Sequence, residues 1–456
     1  MHAQQHKDVD PRGPIFISYR QSDGTRLAND ISRLLRAAGV PVWRDATDLP
    51  PGDTEGRLRQ AMQSGLSGAV LIVTPDIARS RVVRNIELPG LLKLERDPAF
   101  SFMIANHATP GAPLDFGAPD RLLERPAGAL SRINQMPAES DQDLSAIVRA
   151  VLMHRVDALR QDPAAASALV VDVRTRAAAH SADRNSHIPI RLLPQTSGRL
   201  PSRQALDDLK LTLPLLPEAV ERSKAVTVRV TGAAHLSVAL AIGCALPATL
   251  VPQLTVDALD GQSWAGATVA ASGETLELTR ITGHQSFPGE RGRAVAAFVD
   301  LVPGRSDNAW GEFMTGNAGQ FAEAVHIELL ERQEIDPDLA PVLTAEIAGL
   351  LRALSRRNGG VTLHVLLYAP FPVAVLLGRL MNTFSLVAYE FDSSQAAPAA
   401  ARERYVPAIA ITPTNGANLI SEVLLPVNDD SATHRTIWER IIDATRALRA
   451  VRKRCQ

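Results

Sequence analysis

Two cysteines, Cys244 and Cys455, stand in a chain of 456 residues. That scarcity excludes a disulfide framework and a cysteine-built zinc site, and it suits a reducing compartment. The 11 histidines fall without zinc-ligand spacing. A GxxxxGK(S/T) phosphate loop is missing as well. Charge of one sign is also lacking: 48 basic residues meet 49 acidic ones and leave a net charge of −1. A chain-wide grip on nucleic acid is therefore excluded, though a local basic pocket is not. No apolar run is long enough for a bilayer. The most apolar stretch, Leu236 to Val251, is too short and is broken by Pro247. Met1 to Arg12 is polar with no apolar core, so no secretory leader is expected. The chain is expected to be cytoplasmic, with neither membrane nor DNA as partner and no metal.

What is present is alternation. From Pro14 to Asn106, apolar runs alternate with helical patterns. Strands are predicted at Ile15–Tyr19, Val40–Trp43, Gly68–Val73 and Phe100–Ile104. Between them, Leu27, Ile31, Leu34 and Leu35 recur at helical spacing and stop at Gly39, and a helix capped by Ser80 runs to about Leu94. Such alternation implies a parallel sheet covered on both faces. The amphipathic segment Leu144–Leu159 closes this domain. Asp162 to Arg203 is Ala-rich with scattered Pro and Ser, and reads as a linker, with a possible strand at 168–173.

The remainder repeats. A shift of 135 residues lays Val226–Asp257 on Val361–Asp392 without a gap, with 8 identities in 32, among them Gly243/Gly378. Each copy reads as strand, small-residue loop, apolar helix, strand. A further strand ending in Pro follows each copy, Ala296–Pro303 and Ala408–Pro413, and continues into a polar loop. Two such α/β units would face each other about a pseudo-two-fold axis and turn their strand-end loops to one pocket.

Three stretches carry chemistry. Phe16–Arg20, FISYR, puts a hydroxyl, a phenol and a guanidinium at the carboxyl end of the first strand, where α/β sheets hold nucleotides; residue types alone also allow a core phenylalanine and a solvated loop. Val40–Asp53 runs through the stiff, acidic turn Pro50–Pro51–Gly52, either a recognition surface or an ordinary turn. Glu87 sits inside the apolar stripe Val83, Ile86, Leu91 and Leu94, so it is either at the edge of the buried face or set in a cleft.

In order, these pieces resemble a TIR domain. FISY matches its first box, Gly39 to Asp45 with Asp48-Leu-x-x-Gly52 its second box and BB loop, and Ser80–Glu87 the helix that carries the glutamate of catalytic TIR domains. The family often has Trp before that glutamate; Val82 and Val83 stand here instead. The C-terminal half, through Leu363–Asn382 and the strand Leu386–Phe391, resembles the SAVED domain, a fused pair of CARF-like units that senses cyclic oligonucleotides in bacterial CBASS antiphage systems. The fold this implies is α/β: a flavodoxin-like TIR domain over 13–160 after a polar tail, a linker over 161–203, and a pseudo-duplicated SAVED domain over 204–456.

The resemblance implies an NAD+ glycohydrolase with NAD+ as substrate, no tightly bound cofactor and a cyclic oligonucleotide as activator, an adenine-containing di-, tri- or tetranucleotide. Glu87 would be the catalytic carboxylate, with Phe16, Ser18, Tyr19, Arg20, Trp43 and Asp45 around the NAD+. Asp48, Leu49, Pro50 and Gly52 would dock on a neighbouring TIR domain in a head-to-tail oligomer or filament. The ligand pocket is expected to draw on Thr231 and His235, Ser306, Asn308 and Trp310, Tyr368 and Phe371, and Thr414 and Asn418, with Arg379 on a phosphate. Arg379 takes the place of Cys244 in the first copy, which predicts an asymmetric pocket. The rival function is a TIR scaffold that recruits partners and catalyses nothing.

Overall fold

The computed structural model describes residues 9–43, 65–161, 168–176, 185–192, 200–271, 276–286, 294–304, 307–317, 319–392, 404–412 and 418–426. Two compact units divide the chain. The first holds Met1–Asp172, Ser181–Arg191 and Glu218–Ala225; the second holds Val173–His180, Leu192–Pro217 and Val226–Gln456.

The first unit is built on β1 (Ile15–Ser18), β2 (Val42–Trp43), β3 (Gly68–Val73), β4 (Ser101–Asn106) and β5 (Asn134–Pro137), all parallel, in the order β2-β1-β3-β4-β5. This is the flavodoxin-like order, with its switch point between β1 and β3. β3 and β4 are buried along their whole length, as their unbroken apolar runs require. β5, with the sequence NQMP, has no apolar run and gives no strand signal.

Among the described residues the first unit carries helices α1 (Gln21–Ala37), α2 (Leu88–Leu94), α3 (Ala118–Leu122) and α4 (Asp141–Arg160). Helix α1 buries Ala28, Ile31, Leu34 and Leu35 on one stripe. It ends before Gly39, whose φ of 87° and contact with Ile188 leave no room for a side chain. Helix α4 begins three residues before the apolar pattern, fixed by a capping box between Ser140 and Asp143.

The stretch read as a linker supplies β6 (Leu169–Arg174) and β7 (Ile188–Arg191). After α5 (Arg203–Thr212) and α6 (Leu215–Ser223) come β8 (Thr227–Ala233), α7 (Leu236–Ala245), β9 (Gln253–Asp257) and β10 (Ser263–Ala265). The second sheet runs β10-β9-β8-β6-β7. The rest of the chain adds β11 (Thr279–Ser286), β12 (Ala294–Asp300), α8 (Asp307–Gly316), β13 (Phe321–Leu329), α9 (Ala340–Arg357), β14 (Leu363–Tyr368), α10 (Phe371–Leu380), β15 (Leu386–Asp392), β16 (Arg404–Ile411) and β17 (Ile420–Val423). The third sheet runs β11-β13-β12-β14-β15-β16-β17.

The repeat is real in three dimensions. Each copy is a parallel strand–helix–strand unit, β8-α7-β9 and β14-α10-β15. Helices α7 and α10 have bounds that differ by the same 135 residues as the sequence shift. The return strand slides by three: Val228 pairs with Leu254, but Leu363 pairs with Leu386. Ala258 and Leu259 therefore take the places of Glu390 and Phe391.

One expectation is corrected. The strand after the first copy does not belong to it. β12 pairs with β14, inside the second copy's sheet. Its counterpart is β6, since Thr175 N–H donates to Ala233 O as Leu301 N–H donates to Tyr368 O. The order β10-β9-β8-β6 thus matches β16-β15-β14-β12. Apolar strands separated by helical patterns do not say which sheet a strand joins, and that choice misled the sequence reading.

The two repeat helices touch through glycine. A Cβ on Gly243 would lie 2.0 Å from Val375 O, and one on Gly378 would lie 2.2 Å from Leu240 O. Gly378→Ala must push the helices apart, and is expected to destabilise by about 2 kcal/mol. Gly311→Ala, in α8 with nothing within 4 Å, is expected to stabilise by about 0.5–1 kcal/mol, because glycine is the more costly residue in a helix. Thermal unfolding of both variants, which should move in opposite directions, checks the contact.

Candidate functional site

Ser18 ends β1 at the switch point of the first sheet and is fully buried. Phe16 and Ser18 alternate onto the same face of the strand. Phe16 joins the core with Val83, Leu88 and Leu91, so Ser18 turns toward the same covering segment. There its hydroxyl donates to Glu87 Oε2 at 2.5 Å. Glu87 is only 3% exposed, so it is not at the edge of the buried face but within the interior.

The segment that carries Glu87 is not a plain α-helix. Val83–Glu87 forms a π turn, with Leu88 N–H donating to Val83 O, and α2 follows directly. Ser80 Oγ caps its start by accepting from Val83 N–H. The wider turn inserts a residue, so the buried set becomes Val83, Glu87, Leu88, Leu91 and Leu94 while Ile86 is half-buried. π turns of this kind concentrate at functional sites.

The other expected NAD+ residues divide. Phe16 is core, fully buried, with the half-buried Trp43 ring 5.2 Å away and tilted by 39°; a ligand cannot reach Phe16, and its role is to back Trp43. Tyr19 is buried, its ring side against Gly24 of α1. Arg20 is half-buried and engages Asp23 at 3.2 Å and Asp76 at 3.7 Å. Asp45, Asp48, Leu49, Pro50 and Gly52 lie outside the described residues.

A second site lies within the second unit. A cavity of about 730 Å³, in the size range of small-molecule sites, opens where the strand-end loops of both copies meet. The first copy lines it with Gly232–Leu236, Ala258 and Leu259; the second with Leu367–Pro372, Glu390 and Phe391. His235, Tyr368 and Phe371 are therefore where the repeat predicts them, and Thr231 lies directly before the lining segment. Ser306 and Thr414 lie outside the described residues. Asn308 and Asn418 are exposed and absent from the lining.

Trp310 and Arg379 are absent from the lining as well. Trp310 stacks on Phe298 at 6.1 Å and belongs to the aromatic cluster over the third sheet. Arg379 is 1% exposed, and its guanidinium donates to Ala267 O at 3.1 Å and Pro252 O at 3.2 Å. It sits near the C-terminal end of α10, whereas the pocket opens at the N-terminal end. Burial without a carboxylate lowers its pKa. It is a structural tie, not a phosphate contact.

Sequence reasoning missed Thr175, Arg176 and Glu390. Thr175 Oγ1 and His235 Nδ1 lie 2.7 Å apart, and His235 N–H donates to Thr175 Oγ1 at 2.9 Å. Glu390 Oε1 accepts from Ser237 N–H, in the first turn of α7, at 2.7 Å. This bond joins a strand of the second copy to the helix of the first. Below the pocket, Tyr405 donates to Leu367 O at 3.1 Å. Burial raises its pKa, aided by the negative charges of Asp300 and Glu390 and by Tyr368. The signal for Thr175 and Arg176 was weak because β6 lies in an Ala-rich stretch; Glu390 looked like one more polar position on a strand.

Residues 15–100 match the TIR domain family, and residues 212–411 match the SAVED family, the SMODS-associated and fused to various effectors sensor domain. No match to a curated protein was found. Among solved structures, the chain is similar to the Acinetobacter baumannii Cap4 SAVED/CARF-domain containing receptor with the cyclic trinucleotide 3'3'3'-cAAA, at 11% identity and a TM-score of 0.40, covering 86% of this chain and 99% of that one. The same receptor with 2'3'3'-cAAA gives 11% and 0.40 over 86% and 98%. The Moraxella osloensis Cap4 SAVED/CARF-domain containing receptor gives 13% and 0.37 over 85% and 97%.

The Ser18–Glu87 pair generates a stability prediction. Glu87→Gln keeps an acceptor for Ser18 and is expected to change stability by less than about 1 kcal/mol, whereas Glu87→Leu strands a buried hydroxyl and should cost about 1–3 kcal/mol. Chemical denaturation of the two variants against wild type checks this.

Proposed function

We infer that this chain, which joins a TIR domain to a SAVED sensor domain, is an effector that cleaves NAD+ when a cyclic oligonucleotide fills the sensor pocket. The observation that carries the reading is the buried Ser18–Glu87 pair at the switch point. A scaffold has no need of a carboxylate set in the interior beside a strand end; a glycohydrolase has.

The reaction breaks the bond between nicotinamide and ribose, releases nicotinamide and adds water to give ADP-ribose. Its transition state resembles an oxocarbenium ion, which a carboxylate beside the ribose stabilises. Glu87 supplies that charge and Ser18 orients it. Trp43 offers a ring for stacking, and Arg20 a cation for the diphosphate once Asp23 and Asp76 release it. The role of such an effector in antiphage defence of the CBASS type is depletion of NAD+.

Activation proceeds through assembly. With Glu87 3% exposed and Arg20 engaged by two acids, the resting site is closed to a dinucleotide. Docking of neighbouring TIR domains through the segment around Leu49, in a head-to-tail oligomer or filament, would open it.

The test is NAD+ cleavage measured with light scattering across cyclic di-, tri- and tetranucleotides. At saturating activator, activity should rise more than linearly with protein concentration and coincide with larger particles. Glu87→Gln should lose about 100-fold or more while still assembling. Near wild-type cleavage by Glu87→Gln removes the catalytic assignment. Full activity in a species that stays monomeric removes the assembly step. Assembly without cleavage by wild type favours the scaffold.

A further inference from the structure

The pocket has a pseudo-two-fold frame but no two-fold charge. Its lining can be paired copy against copy. Ala233 answers to Tyr368, His235 to Pro370 and Leu236 to Phe371 through the sequence shift. Ala258 and Leu259 answer to Glu390 and Phe391 through the strand register. Thr175 answers to Leu301 through the matched backbone bonds, which makes Arg176 answer to Val302.

Charge falls on one member of two of these pairs. Arg176, exposed, faces the pocket where its counterpart is valine; Glu390, 7% exposed, does so where its counterpart is alanine. Arg176 is the one Arg or Lys in the described lining, and Glu390 the one acid.

The helix ends do not restore the balance. The first turn of α7 has an amide, Ser237 N–H, but Glu390 already takes it. The counterpart of Ser237 in α10 is Pro372, which has no N–H to give. The usual anion site at a helix N-terminus is therefore occupied in one copy and lacks that donor in the other.

A ligand with one phosphate per nucleotide meets Glu390 badly through its phosphates and well through its bases. A carboxylate accepts from N–H donors, and the exocyclic amine of adenine is such a donor. A guanidinium has the opposite preference and forks onto phosphate oxygens.

Resting on the reading that the pocket takes a cyclic oligonucleotide, we propose that it orients the ring by charge, with a phosphate on Arg176 and an amine-bearing base edge on Glu390. A ring of identical nucleotides is then bound unsymmetrically. One nucleotide is read at its base and another at its phosphate.

The experiment measures affinity for the tightest-binding of cyclic di-, tri- and tetra-adenylate, and for the same ring built from purine riboside, which lacks the 6-amino group. Wild type is expected to prefer the adenylate by about 10-fold, the worth of one charge-assisted hydrogen bond. Glu390→Gln keeps an oxygen for Ser237 N–H and so keeps the fold; the preference should shrink to below about threefold. Arg176→Gln should weaken both rings equally, by about 10-fold, and lower the slope of log affinity against log salt by about 1. Unchanged affinity and salt slope in Arg176→Gln overturn the phosphate assignment. An equal gain for both rings in Glu390→Gln overturns the base assignment, since the acid would then only repel. Failure of wild type to bind any of the adenylates brings down the ligand class itself, and this inference with it.

Discussion

The second unit depends on one contact: the backbone-to-backbone crossing of α7 and α10. It is reciprocal. Gly243 meets Val375 O, and Gly378 meets Leu240 O; the 135-residue shift exchanges the two halves of the contact. This is the self-complementarity of a two-fold interface, made within one chain. Because the helices cross at their glycines, their first turns come to one cavity. The strand-end loops that precede them follow. A side chain at either glycine would separate the helices and spread the loops, so the pocket's shape is fixed at a place outside its lining.

That frame explains why the charges matter. Duplication alone produces matched halves, and a matched pocket would treat every nucleotide of a ring alike. The chain keeps the matched backbone, visible in the paired bonds from Thr175 to Ala233 and from Leu301 to Tyr368. It departs in side chains: Arg176 against Val302, Glu390 against Ala258, Ser237 against Pro372. The departures are coupled, because the bond from Ser237 to Glu390 needs both members and neither has its equivalent across the axis.

Much of this was legible in the sequence, for physical reasons. Fully buried parallel strands read as unbroken apolar runs, so β1, β3 and β4 were plain. Ungapped identities at 135 residues exposed the repeat, including both crossing glycines. Glu87 stood out as an acid inside an apolar stripe. What was not legible depends on partners distant in the chain. Arg379 looked like a phosphate ligand because an arginine on such a helix usually faces solvent; here Ala267, just after β10, and Pro252, just before β9, offer it carbonyls, and it is buried. The π turn at Val83–Glu87 leaves no mark in residue types, yet it decides that Glu87 rather than Ile86 is interior. β6 and β12 each carried a strand signal, but nothing in their residues named the sheet.

Both sites share a property. In each, several polar groups suited to a nucleotide are already engaged by the protein's own partners, while Arg176 stands exposed in the pocket lining. Ser18 bonds Glu87, Arg20 is held by Asp23 and Asp76, and Ser237 N–H is held by Glu390. A ligand entering such a site exchanges one set of hydrogen bonds for another, and the net gain per bond is small. Affinity would then come from apolar contact with rings such as Trp43, Tyr368 and Phe371 and from Arg176, while the polar exchange discriminates. A wrong ligand would break the resident bond at Glu390 without replacing it, and a buried group left unpaired costs more than a correct pairing gains. The resting state is stable for the same reason that it would be selective: Ser18, Arg20 and Ser237 N–H are each held by a partner that only a matching nucleotide would replace.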